Sequence, residues 1–170
     1  MFIDIRELEQ KPVVFSQSVP AGKIPFNADF EQLTPLESSG RAELQSSTDE
    51  IRVQGTLQVT LGMTCDRCAE PFQQIIDQEF DLIYAPPPET NPGAEIAIGP
   101  SDSNIAFFEG NGLELNDILQ EQVLLAIPLQ RLCRADCKGI CPTCGQNRNE
   151  TDCQCRERIV DDRWSALKNL

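Results

Sequence analysis

From Ile51 the chain alternates without a break. Ile51, Val53, Gly55, Leu57, Val59 and Leu61 fall on one side, and Arg52, Gln54, Thr56, Gln58 and Thr60 fall on the other. A period of two held this long predicts a strand with one face in a core and one in water. Gly55, on the apolar side, marks either a bulge or a place where another backbone comes close. Beyond a short break, Phe72, Ile76, Phe80, Leu82 and Tyr84 share one face of a second long strand. The two strands read as antiparallel neighbours, with Cys65 and Cys68 in the turn between them. Shorter strands are expected near residues 2–8, 12–16, 40–46 and 104–109. Gly22 to Gly40 reads as irregular, with room for a short helix. Residues 85–104, rich in Pro, Gly, Ser and Asn, read as a long loop.

The period changes to that of a helix at Asp117 and holds to about Ile127. Asn116 is the expected N-cap, Asp117 and Glu121 suit the positive end of the helix dipole, and Pro128 ends it. Ile118, Leu119, Val123, Ala126 and Ile127 form a wide apolar stripe that should pack on the sheet. A last short helix is expected after Asp161 or Asp162, with Trp164, Leu167 and Leu170 spaced by three. Together these elements predict an α+β fold: an antiparallel β-sheet-rich single domain with one or two packed helices and a C-terminal cysteine-rich zinc-knuckle segment. The expected division is a body over 1–130 and a metal-binding tail over 131–170, packed on that body. A chain of 170 residues is long enough for such a core.

The tail carries the densest chemistry. Six of the eight cysteines, Cys133, Cys137, Cys141, Cys144, Cys153 and Cys155, lie within 23 residues; Cys65 and Cys68 are the other two. In a reducing compartment, closely spaced cysteines are metal ligands or redox centres more often than disulfides. Eight thiolates make two four-sulfur sites. The preferred grouping joins Cys141 and Cys144, on a Cys-Pro-Thr-Cys-Gly knuckle, to Cys153 and Cys155. Cys65 and Cys68 then pair with Cys133 and Cys137. A rival grouping collects Cys133, Cys137, Cys141 and Cys144, but strands half a site elsewhere. Zn2+, in one or two four-cysteine sites, is the expected ion, because closed tetrahedral thiolate sites suit it. The spacings match none of the common iron–sulfur ferredoxin patterns.

Other chemistry is thinly represented. The chain has no histidine, which removes the Ser-His-Asp triad, the Cys-His pair and the HExxH zinc site. No glycine-rich phosphate loop is present. Cys141-Pro-Thr-Cys144 has the thioredoxin spacing, yet a turn sequence follows it where a redox site would open a helix. The sequence therefore points to a protein that is not an enzyme and takes no small-molecule substrate.

Charge is unevenly spread. Residues 1–130 hold 6 basic and 21 acidic residues, whereas residues 131–170 hold 8 basic and 6 acidic, within a net charge of -13. An acidic body repels nucleic-acid phosphates and attracts basic partners. The mildly basic tail, with Arg131, Arg134, Lys138, Arg148, Arg156 and Arg158, supports a different reading, a zinc-ribbon-like nucleic-acid-binding regulator. No apolar run approaches membrane-spanning length, and the N-terminus lacks the form of a signal peptide. The expected location is cytoplasmic, or the stroma of a plastid, with no membrane partner.

These features together resemble the YceD family. The resemblance rests on Cys65-Asp-Arg-Cys68 followed by Glu70-Pro-Phe72, and on the helix ending Leu-Leu-Ala-Ile-Pro128. It rests further on Cys137-Lys-Gly-Ile-Cys141-Pro-Thr-Cys144-Gly-Gln-Asn, on Cys153-Gln-Cys155, and on Asp161-Asp-Arg-Trp-Ser-Ala-Leu. It covers the chain from about residue 36. The family's role is in the accumulation of large-subunit ribosomal RNA in bacteria and plastids. The resemblance implies a non-enzymatic ribosome biogenesis factor for 23S ribosomal RNA, with ribosomal RNA or basic ribosomal proteins of the large subunit as partners.

Overall fold

The structure, a computed structural model, describes residues 1–26, 30–45, 49–87 and 105–155. The expected final helix around Trp164, and most of the expected 85–104 loop, lie outside them. The chain divides into two compact units, Met1–Gly62 with Gln73–Pro128, and Met63–Phe72 with Leu129–Leu170. The elements in chain order are β1 (Phe2–Asp4), α1 (Ile5–Leu8), β2 (Val13–Val19), β3 (Glu31–Gln32) and β4 (Leu36–Gln45). They continue with β5 (Glu50–Thr64), β6 (Pro71–Ala85), β7 (Ile105–Phe107), β8 (Gly112–Glu114) and α2 (Leu115–Ala126).

The first unit is built on a sheet in the order β2-β4-β5-β6-β7, with β3 also paired to β5 and a separate β1-β8 ribbon. The β2–β4, β4–β5 and β3–β5 pairs are antiparallel, while β7 joins β6 in parallel. Arg52 bonds Asp81 and Gln58 bonds Asp77, so β5 and β6 run in opposite directions. This is the expected α+β class with mostly antiparallel pairing. The alternation read from the sequence decides which face is inside. Ile51, Val53, Leu57, Val59 and Leu61 are buried, as are Ile76, Phe80 and Tyr84 of β6. Between them on β5, Gly55 is no bulge: β4 and β5 stay in one register through the Gly40↔Gly55 pair. A Cβ at Gly55 would stand 2.6 Å from the Ser39 carbonyl oxygen and 2.9 Å from the Phe80 ring. The bare backbone lets an aromatic ring lie across the pair.

Helix α2 contributes Leu115, Ile118, Leu119 and Val123 to the interior. Its N-cap is Glu114, two residues before the expected Asn116. The Leu115 N–H donates to the Met1 carbonyl at 2.9 Å, and Leu115 itself is fully buried. Asn116 instead accepts from Gln17 Nε2 at 3.2 Å. Packing and one long-range hydrogen bond outweigh the local capping preference. The expected strand at 2–8 is also shortened. Asp4 Oδ1 accepts the Arg6 N–H at 2.9 Å and turns the chain into the one-turn helix α1. The expected irregular segment 22–40 contains β3 and the first half of β4.

Candidate metal centre

The second unit begins at the tip of the β5–β6 hairpin. The Cys65 N–H donates to the Glu70 carbonyl and the Ala69 N–H to the Cys65 carbonyl, each at 2.9 Å. Ala69 takes a left-handed φ of 60° to close this turn. The turn is tied to the segment that follows α2 by a reciprocal clamp. The Asp66 N–H donates to the Arg131 carbonyl at 2.8 Å, and the Arg131 N–H donates to Asp66 Oδ2 at 2.7 Å. Arg131 also pairs with Asp66 through its guanidinium at 3.0 Å. The backbone donor from Arg131, then its side chain, hold the Asp66 carboxyl below the usual carboxylate range.

This clamp brings Cys133 and Cys137 to Cys65 and Cys68. The Cys65–Cys137 sulfurs are 3.8 Å apart and the Cys68–Cys133 sulfurs 3.7 Å apart. All four sulfurs lie within 4.8 Å of one another. Four thiolates about 2.3 Å from one tetrahedral ion stand about 3.8 Å apart, so the spacing is that of a single-ion site. A cluster of several irons would hold its thiolates wider. Cys65, Cys68 and Cys137 are buried together, with Phe72, Leu132 and Cys133 packed against them.

Cys141, Cys144, Cys153 and Cys155 form a second quartet with the same 4.8 Å limit. Its knuckle closes by the Cys141 N–H to the Gln146 carbonyl and the Gly145 N–H to the Cys141 carbonyl, both 2.8 Å. Gly145 adopts a φ of 75°, which suits glycine. Cys141 is buried, Cys153 half-buried, and Cys144 and Cys155 exposed. The preferred sequence grouping is thus the one the fold assembles, and the rival set of Cys133, Cys137, Cys141 and Cys144 is split between quartets. All eight cysteines are free of disulfides.

Electrostatics within each quartet are compatible with a bound cation. Burial opposes ionisation of Cys65, but amides of Cys133, Cys68 and Arg67 aimed at its sulfur prevail and bring the thiol to about 6. The Asn149 side chain lowers Cys137. Burial and the facing thiols push Cys133 up to about 12. In the other quartet the Cys144 and Thr143 amides bring Cys141 to about 6, while the Cys144 sulfur holds Cys155 up to about 12. Adjacent thiolates repel, so without a cation part of each set keeps its protons; a central ion removes that penalty. Soft donors, tetrahedral spacing and amides that favour thiolate are together compatible with two zinc sites.

Asn147 and Asn149 are functional candidates that sequence reasoning passed over as turn residues. Asn149 donates to Cys137 Sγ at 3.3 Å. The only signal in the sequence is an amide side chain close to a run of cysteines.

Comparison with known proteins places this arrangement. The family described as "Large ribosomal RNA subunit accumulation protein YceD" matches residues 53–170. The chain belongs to the YceD family. The match starts in β5, later than the resemblance from residue 36, and spans both quartets. The chloroplastic "Large ribosomal RNA subunit accumulation protein YCED homolog 1" of Zea mays is 29% identical over 143 residues, which cover 71% of this chain and 48% of that protein. Its Arabidopsis thaliana counterpart is 23% identical over 163 residues, 84% of this chain and 50% of that protein. The chain therefore spans about half the length of these plant relatives. The "Uncharacterized protein YlbN" of Bacillus subtilis is 21% identical over 170 residues, 98% of this chain and 92% of that protein. No solved structure matches. The family description names an accumulation role and no reaction. Among the described residues, no helix is long and apolar enough to cross a membrane.

Proposed function

We propose that this chain is a non-enzymatic ribosome biogenesis factor that promotes accumulation of large-subunit (23S) ribosomal RNA. The observation that carries the reading is the family match over residues 53–170, which takes in every cysteine. In this reading one Zn2+ is held by Cys65, Cys68, Cys133 and Cys137 and a second by Cys141, Cys144, Cys153 and Cys155. Zinc supplies cross-links and no open coordination position, so it stabilises the second unit and takes no part in a reaction. The chain works in the cytoplasm, or in a plastid stroma as its plant relatives' names suggest.

Charge favours a basic ribosomal protein over RNA as the direct partner. On the outward face of β4, β5 and β6, Glu37, Asp77 and Glu79 are exposed beside the Arg41–Glu43 and Arg52–Asp81 pairs. In the second unit, Arg131 is engaged by Asp66 and Arg134 by Asp136. Each zinc with four thiolates carries a formal -2 charge, so metal loading makes the chain more acidic still. The test is sedimentation of the tagged chain from its own cells. It should travel with precursors of the large subunit and be released by added salt; migration with free RNA or with neither subunit contradicts the reading.

A further inference from the structure

Asn149 sits in the loop of one quartet and touches the other. It lies between Cys144 and Cys153, yet its Nδ2 donates to Cys137 Sγ at 3.3 Å. Its Oδ1 accepts from the Lys138 N–H at 2.8 Å and from Arg134 at 2.9 Å, which turns the amide nitrogen to the sulfur. Asn147 Oδ1 braces it, accepting from the Asn149 backbone N–H at 3.0 Å and from Nδ2 at 2.9 Å. The backbone leading into the same loop is bonded to the turn of the buried quartet. The Ile140 N–H donates to the carbonyl of Arg67, between Cys65 and Cys68, at 3.0 Å. Gly139, with φ 71°, lies so close that a Cβ there would stand 2.9 Å from that oxygen. The loop closed by the exposed quartet thus supplies outer hydrogen bonds of the buried one.

We propose that the two metal sites bind as a coupled pair, with Asn149 as the positioning residue that carries occupancy of the exposed quartet to the buried one. The proposal rests on the reading that both quartets hold zinc. A metal on Cys141, Cys144, Cys153 and Cys155 fixes both ends of the loop and keeps Asn149 against Cys137. When that metal leaves, the loop loses its closure and the amide leaves the sulfur. The buried metal then loses the outer hydrogen bond that orients one of its ligands. Coupling at equilibrium is reciprocal, so filling the buried site also tightens the exposed one. Cys144 and Cys155 are open to solvent whereas Cys65, Cys68 and Cys137 are not. A chelator therefore strips the exposed site first, and the buried site follows.

The test is release of zinc from the loaded full chain into excess EDTA, with timed alkylation by N-ethylmaleimide. Peptide mass spectrometry then reports which cysteines each departing ion uncovers. In the wild type, Cys141, Cys144, Cys153 and Cys155 should be labelled before Cys65, Cys68, Cys133 and Cys137. Asn149→Ala should speed labelling of the buried quartet about tenfold, the usual effect of losing an outer-shell partner. Asn149→Asp, which lacks the N–H donor but keeps the side chain's size, should do the same. Cys144→Ser with Cys155→Ser, which removes the exposed site, should also match it, and adding Asn149→Ala to that pair should change nothing more. Unchanged buried-site release in the Asn149 variants overturns the proposal, as do effects that multiply in the combined variant. Native mass spectrometry separates the two readings. Two ions with uncoupled release defeat the coupling alone, whereas a chain that takes up no zinc defeats the metal reading and this inference together.

Discussion

Stripping metal from the full chain under reducing conditions should melt one unit and spare the other. Among the described residues of the second unit, the buried side chains are Met63, Cys65, Cys68, Cys137 and Cys141. Phe72 and Leu132 are partly buried beside them. Full burial of one large apolar side chain stabilises by about 1.5–3 kcal/mol, so Met63 with the partly buried Phe72 and Leu132 supplies less than about 9 kcal/mol. A structural zinc in a small domain contributes on the order of 10 kcal/mol at neutral pH, and that energy is folding energy. With both quartets zinc-bound as proposed, the two ions outweigh these side chains in the second unit. The first unit keeps its own core of Leu36, Ile51, Val53, Leu57, Leu61, Leu115, Leu119 and Val123, with no cysteine in it. Amide hydrogen exchange by NMR reads both at once. In the zinc-loaded chain the Cys65, Ala69, Cys141, Gly145 and Arg148 amides, all hydrogen-bonded to backbone, should be protected. Chelation should remove about 5 kcal/mol or more of opening free energy there, roughly three to four decades of protection. The β4–β5 ladder amides should change by less than about threefold. Undiminished protection in the second unit after metal removal would refute the reasoning. Equal loss in the β4–β5 ladder would refute it as well.

Two further outcomes follow from the geometry. Gly55→Val should cost about 2–3 kcal/mol by driving a side chain into the Ser39 carbonyl and the Phe80 ring. It should lower the melting temperature of the zinc-loaded chain by roughly 5–10 °C, and an unchanged melt in a calorimeter would contradict the close-approach account. Zinc affinity should fall as pH falls, because bound sulfurs are all thiolates while the free quartets keep protons on Cys68, Cys133, Cys153 and Cys155. The fall should steepen below about pH 6, where free Cys65 and Cys141 also take up protons. Competition with a coloured chelator between pH 8 and 5 measures it, and a flat profile would contradict the thiolate account.

What the sequence made legible was whatever repeats. The alternation through Ile51–Leu61 and the even-numbered face from Phe72 to Tyr84 gave the central hairpin, its buried face and the position of Cys65 and Cys68. Cysteine spacing, with the wish to leave no half-site, gave both quartets. The misses came where one long-range contact overrules a local preference. Asn116 is a better cap than Glu114, but the Leu115 N–H is taken by Met1 at the far end of the chain. Asp4 reads as part of a strand until its side chain captures the Arg6 amide. Asn149 looks like a turn residue, and only the folded loop turns its amide to Cys137. The parallel pairing of β7 with β6 leaves no mark in a three-residue strand.

The central claim is tested most directly by depleting the protein in its own cells and measuring the ratio of mature large-subunit to small-subunit ribosomal RNA. The account predicts a selective fall in the large-subunit species, restored by the wild-type chain and not by one carrying Cys68→Ser and Cys137→Ser. An unchanged ratio would contradict it, and so would full rescue by the ligand variant.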